Sequence, residues 1–296
     1  MSPPGLPAPP PLGATALPAG TYGGDTVFVT GGGTGLGKAI AVEFARLGAS
    51  VVVASRNPEH LDAGRSAIEE VGGEVEAVAC DIRDADSVAS ALDAAEAHFG
   101  LPRVLVNNAA ANFPSPAEDL SPNAWRTVVD ITLNGTFLVT REFGRRHLAA
   151  GTPASIVCVG ASYAWTGGPG FAHSAAAKAG VKNLVETLAV EWGPHGIQVN
   201  GLVPGLFPHE DMTGDIREGL EQAGEGDGHA HRQPALRAGE RRELGWAATF
   251  LASPYARFVS GHTLVVDGAN WQRRSLVNPS VETVRDQLGR GAFSPE

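Results

Sequence analysis

With 296 residues and 43% hydrophobic side chains, the chain is long enough to bury the core of one large α/β domain. A formal charge of −10 argues against a general affinity for polyanions, so neither nucleic acid nor an anionic membrane is an expected partner. Two cysteines, Cys80 and Cys158, stand in separate apolar runs without a ligand spacing, which points to core thiols, a reducing compartment and no metal site.

The first 24 residues are rich in Pro, Gly and Ala, and no Lys or Arg precedes Lys38. They lack the basic start of a secretory leader and the arginines of a transit peptide, so a flexible, partly polyproline-II arm in a cytoplasmic protein is expected. No apolar run approaches the ~20 residues of a bilayer span. From Asp25 short β-branched runs alternate with longer amphipathic ones, the pattern of βα units. Strands are expected over 26–30, 50–54, 75–79, 104–107, 155–159, 198–203 and 263–266, and helices over 36–47, 59–71, 85–99, 122–149, 172–192 and 241–252. Residues 25–296 then form a single doubly wound Rossmann-type α/β domain of about seven parallel strands with helices on both faces. Residues 206–240, polar and Gly-rich, read as a substrate loop, and 270–296 as a tail.

The first strand runs into Gly31-Gly32-Gly33-Thr34-Gly35-Leu36-Gly37 and then a helix. Glycines there let the backbone approach a pyrophosphate, whose charge the helix N-terminus favours. After the second strand, Ser55-Arg56 offers a hydroxyl and a guanidinium where an NAD-selective site would offer a carboxylate to the ribose, which favours a 2′-phosphate and hence NADP(H). Asp81 with Ile82 after the third strand, and Asn108 with Ala109 after the fourth, complete the expected cradle at the same sheet edge.

Chemistry is expected in SIVCVGASYAWTGGPGFAHSAAAKAG, residues 155–180, because the chain has only three lysines and three tyrosines and this run holds Tyr163 and Lys178. Ser174 and Lys178 are i and i+4 on one helix face. The glycine run, the Asp81 position, Asn107-Asn108-Ala109-Ala110, Lys178 and Val203-Pro204-Gly205 together resemble the short-chain dehydrogenase/reductase family. That family's usual pattern puts a Tyr four residues before the Lys, a Ser thirteen before that Tyr, and an Asn on the preceding long helix. Here Ser174, Ala161 and Thr132 stand at those positions.

These departures are similar to one branch, the 2,4-dienoyl-CoA reductases, in which the working Tyr lies fifteen residues before the Lys, as Tyr163 does before Lys178. The resemblance implies that Leu133-Asn134-Gly135-Thr136 carries the branch's Asn and that Ser174 holds a water or the substrate. It also implies that Pro204 and Gly205 meet the cofactor and that the assembly is a homo-oligomer, commonly a tetramer. On this reading NADPH gives a hydride to the distal carbon of a dienoyl-CoA, and Tyr163 and Asn134 donate hydrogen bonds to the thioester oxygen. Lys178 is expected to lower the pKa of Tyr163. His229, His231, Arg232, Arg237, Arg241 and Arg242, or Arg273-Arg274, are candidate contacts for the acyl carrier's phosphates, the alternative being that such charge runs are ordinary solvated faces. Two alternatives remain open: a dehydrogenase acting on a ketone, alcohol or enone with Tyr163 as acid/base, and an NADP-binding protein without activity.

Overall fold

The computed structural model describes residues 5–209, 233–272 and 283–289. Among these, strands β1 (Thr26–Thr30), β2 (Ser50–Ser55), β3 (Val75–Ala79), β4 (Val104–Asn107), β5 (Ala154–Val159), β6 (Ile197–Pro204) and β7 (Thr263–Val266) pair in parallel in the order β3-β2-β1-β4-β5-β6-β7. The order reverses between β1 and β4, so a crevice opens beyond their C-terminal ends, where parallel sheets of this kind bind ligands. β1, β4 and β5 are buried along their whole length, which is why their sequences are predominantly apolar and β-branched without alternating polar positions.

Helices α1 (Gly35–Arg46), α2 (Pro58–Glu69), α3 (Ala85–Phe99), α4 (Pro122–Val129), α5 (Gly135–Ala150), α6 (Tyr163–Thr166), α7 (Ala172–Trp192), α8 (Arg241–Ala252) and α9 (Val284–Gly289) surround the sheet. The two-residue period of the strands divides the core. Phe28, Val52, Leu105 and Ile156 pack with Phe143 and Val185, whereas Val27, Val51 and Val106 pack with Ile40, Phe44 and Leu244.

Three expectations need correction. The long helix expected over 122–149 is broken by a π-helical turn, Asp130–Asn134, between α4 and α5. The extra residue in that turn changes which side chains face the crevice. The buried Thr132 exchanges hydrogen bonds with the backbone of Ala111 (3.3 and 3.4 Å), while Asn134 faces solvent and donates to Asp130 Oδ1 at 2.8 Å. Tyr163, expected in a loop, opens the one-turn helix α6.

The third correction concerns the N-terminal arm, which is not free of the domain over residues 5–22. Tyr22 is fully buried, edge-on to Phe44, with its hydroxyl donating to Thr249 O at 2.5 Å. Leu17 packs on the same core. At the other end of the chain, Arg285 of α9 pairs with Glu118 (3.2 Å) and Asp119 (2.8 Å). Residues 210–232 of the expected substrate loop, with His229, His231 and Arg232, lie outside the described residues, as do Arg273 and Arg274.

Candidate active site

A cleft of about 440 Å³ lies over the crevice, walled by Gly31, Thr34, Gly35, Leu36, Ser55, Arg56, Asp81, Ile82, Asn108, Ala109 and Lys178. Its floor shows why glycines occur where they do. A Cβ on Gly33 would overlap the His60 carbonyl, and one on Gly37 would overlap Gly31 O and the Asn108 amide. That amide in turn donates to Thr30 O (3.2 Å) and Gly31 O (3.1 Å), so β4 holds the glycine turn in place. The turn leads straight into α1, whose first N–H groups have no partner within the helix and suit a pyrophosphate. The glycine turn, the helix start and the polar lining fit a nicotinamide dinucleotide.

At the outer end of the cleft Arg83 holds Asp81 through two bonds, Nε–Oδ1 at 2.9 Å and Nη2–Oδ2 at 2.6 Å, while Arg56 Nη1 stands 3.9 Å from Oδ2. The hydrogen bonds from Arg83 hold the Asp81 carboxyl down at about 2. Arg56 remains half exposed at the rim, with Ser55 beside it accepting from Asn57 N at 3.2 Å. Pro204 ends β6 at this sheet edge and Gly205 follows it, but Gly205 packs on Asp267 and donates to Val266 O (2.9 Å), facing β7, and neither residue lines the cleft. Sequence reasoning missed His60, Cys80, Ile131 and His209, which also line the cleft.

At the inner end Lys178 is buried, and its Nζ donates to Val159 O at 2.5 Å. Burial drags its pKa from 10.5 down to about 8. Farther out, Tyr163 OH shares a hydrogen bond with Ser174 Oγ at 2.9 Å, and Asn112 Nδ2 stands 3.5 Å from the same phenol oxygen. Burial pushes the Tyr163 phenol up, partly offset by the Ser174 hydrogen bond. This corrects the expectation that Lys178 lowers it. The Lys178 ammonium is engaged by Val159 O and is not among the causes of the Tyr163 shift.

Lys178 thus lines the cleft and Ser174, one turn before it on α7, holds Tyr163, whereas Asn134 stands apart in an exposed group with Asp81, Arg83 and Asp130. The amide beside the phenol belongs to Asn112, which sequence reasoning passed over. The available signal was its place in the extended run after β4, at the ligand-binding edge of the sheet. Thr132 anchors that run through Ala111, and Phe113 packs edge-on against the buried His173 (4.5 Å). Ser174 follows His173 on α7, so the amide and the serine are held by one packed unit. Among the described residues no His, Cys, Asp and Glu cluster could hold a metal ion.

Comparison with known proteins gives the family and the fold. Residues 31–269 match the family model described as enoyl-(acyl carrier protein) reductase. A probable 2,4-dienoyl-CoA reductase of the (3E)-enoyl-CoA-producing kind from Caenorhabditis elegans is 40% identical over 84% of this chain and 81% of its own length. The citronellol catabolism dehydrogenase AtuB of Pseudomonas aeruginosa superimposes with a TM-score of 0.75 at 38% identity, over 87% of this chain and 99% of its own. A gluconate 5-dehydrogenase from Burkholderia cenocepacia, solved with NADP and tartrate, gives 0.78 at 32% identity, over 86% and 98%.

Proposed function

Because this chain belongs to the short-chain dehydrogenase/reductase family of oxidoreductases, we propose that it reduces a conjugated 2,4-dienoyl thioester carried on coenzyme A, using NADPH, with the hydride going to the distal alkene carbon. The observation that carries this reading is the pair of donors, Tyr163 OH and Asn112 Nδ2, beside Ser174 at the position of the family's usual tyrosine. A phenol that takes the Asn112 amide on its oxygen and pairs with Ser174 is a positioned donor, suited to an oxygen that gains negative charge without leaving the carbonyl plane, as a thioester oxygen does when a dienolate forms. The upward push on the Tyr163 phenol supports the same role, since it keeps the proton in place as a hydrogen-bond donor at neutral pH.

NADPH, when bound, supplies the hydride. Lys178, at the inner wall of the cleft, keeps a positive charge near the reacting end and anchors it to β5 through Val159 O. Ser174 accepts from or donates to Tyr163 and can hold the water that protonates the dienolate. Arg56 and Ser55 take the 2′-phosphate at the rim, the guanidinium steadied by Asp81 across 3.9 Å. Exposed Phe250, Tyr255 and Phe258, on or just beyond α8, support assembly into a homo-oligomer that covers them.

The direct test is NADPH absorbance followed with purified protein and a short 2,4-dienoyl-CoA. Oxidation of NADPH is expected. Turnover of a simple ketone or sugar acid but not of the dienoyl thioester would instead favour the alcohol-dehydrogenase reading, for which the gluconate 5-dehydrogenase structure and the Tyr163–Ser174 hydroxyl pair speak. NADPH binding with no turnover of either would leave a binding protein.

Two substitutions separate the residues. Asn112→Ala is expected to lower kcat by about 10²-fold, as loss of one oxyanion donor does, whereas Asn134→Ala should change it less than about twofold; parallel steady-state kinetics check both. Arg56→Ala is expected to raise the KM for NADPH by roughly 10-fold or more, with the KM for NADH nearly unchanged, because only the 2′-phosphate loses a charged partner.

A further inference from the structure

Three side chains on or just before α8 aim donors at successive carbonyls of the N-terminal arm. Arg237 Nε donates to Pro7 O (3.0 Å) and Arg242 Nε and Nη2 to Pro10 O (3.2 and 3.0 Å), while Trp246 Nε1 shares its hydrogen between Glu43 Oε2 (2.9 Å) and Ala14 O (3.2 Å). Leu6 N–H adds a backbone bond to Ala235 O at 2.9 Å. A proline-rich segment has few N–H groups with which to satisfy its own carbonyls, so it depends on donors from outside. Acceptors three and four residues apart are close to the three-residue repeat of an extended proline-rich chain. A Trp ring and two guanidinium groups in a row form a surface suited to such a segment, as in other proline-rich recognition grooves.

What this docking fastens lies at the cleft. Gly239 N donates to Leu206 O at 2.9 Å and its backbone abuts the Phe207 ring, so the chain leaving β6 is joined to the chain entering α8. Arg237 braces that joint. Besides Pro7 O it holds Glu243 through two bonds of 2.7 Å and Ala238 O at 3.1 Å. Leu6, Leu206, Phe207, Ala235 and Arg237 wall a cavity of about 330 Å³ beside the joint. Two residues beyond Phe207, His209 reaches the dinucleotide cleft, where its ring lies against Gly35.

We infer that the Arg237–Arg242–Trp246 face is an intramolecular docking groove for a proline-rich segment, filled by residues 5–14 of the same chain, and that this docking positions residues 206–209 at the dinucleotide cleft. The arm is then a positioning element for cofactor binding, and its removal acts through the Leu206–Gly239 joint. Because the readout is dinucleotide binding, the inference stands or falls apart from the identity of the substrate.

The test is a chain lacking residues 1–14, which keeps the core residues Leu17 and Tyr22. Its Kd for NADPH, read by fluorescence titration, is expected to rise roughly fivefold, the low end of common couplings between sites. Tryptic cleavage after Arg237 should speed up in the same protein. A synthetic peptide of residues 1–17 in millimolar excess should restore both properties towards those of the full chain. Should the truncated chain not fold, Arg242→Ala in the full chain must move both readouts in the same direction, with Arg242→Lys between it and the parent. Unchanged NADPH affinity with an unchanged cleavage rate in whichever variant folds, or failure of the peptide to slow cleavage of the truncated chain, would overturn the inference.

Discussion

Tyr163→Phe is expected to cut turnover of a 2,4-dienoyl thioester by about 10²–10³-fold, the loss typical of one oxyanion donor, while the Kd for NADPH stays within about twofold of the parent. The phenol oxygen meets Ser174 Oγ and Asn112 Nδ2 and no wall of the dinucleotide cleft, so its removal touches the developing negative charge and not the cofactor. Phenylalanine keeps the ring's stack on Phe171, at 6.2 Å and 7° between planes, so α6 stays packed. Rapid-mixing kinetics at saturating NADPH with a separate binding titration give both numbers. Equal losses in turnover and cofactor affinity would show that the phenol belongs to the cofactor site instead.

Lys178→Met should abolish turnover yet make the protein without cofactor more stable at neutral pH. Burial sets the Lys178 pKa at about 8 against an ordinary 10.5, so the ammonium is held in the fold at a cost that converts to roughly 3 kcal/mol. Methionine fills a similar volume without charge, but it leaves Val159 O without its donor, at a cost of about 1–3 kcal/mol. The net gain is therefore roughly 0–2 kcal/mol at pH 7.

The pH dependence has a definite sign. Between about 8 and 10.5 the unfolded lysine is protonated and the folded one is not, so the parent gains stability as pH rises through that window. Above 10.5 the desolvation cost is gone from the parent, only the lost hydrogen bond distinguishes the two proteins, and the variant becomes the less stable. Thermal melts at pH 7, 9 and about 11 should show the difference in Tm shrinking and then reversing; a difference independent of pH would contradict the buried, charged lysine.

The sheet was legible because its strands are chemically uniform. Runs such as Val27-Phe28-Val29 and Val104-Leu105-Val106 have one stable use, and the glycine turn after β1 has one reason to exist. The site was legible only where spacing along a single helix decides it, as for Ser174 and Lys178. The π-helical turn at Asp130–Asn134 has the same residue preferences as the α-helix around it, so nothing in the sequence placed the break, and with it went the expected role of Asn134. Asn112 sits in extended chain without periodicity, and only the packing of α6 against α7 brings Tyr163 to it. Over residues 7–14 the arm's attachment depends on carbonyl groups, which every residue carries and no sequence displays.

The two thiols acquire a meaning from the strand order. Cys80 follows β3 and Cys158 lies in β5, with β2, β1 and β4 between them, so at ~4.8 Å per strand they are roughly 19 Å apart and no disulfide can join them. Burial raises both to about 11, which keeps them protonated and slow towards alkylating agents and oxidants. Cys80 lines the dinucleotide cleft, while Cys158 is buried within β5 beside Lys178. The native molecule therefore carries two dormant reporters at different depths, one that a bound nucleotide shields and one that becomes reactive only when the sheet itself comes apart.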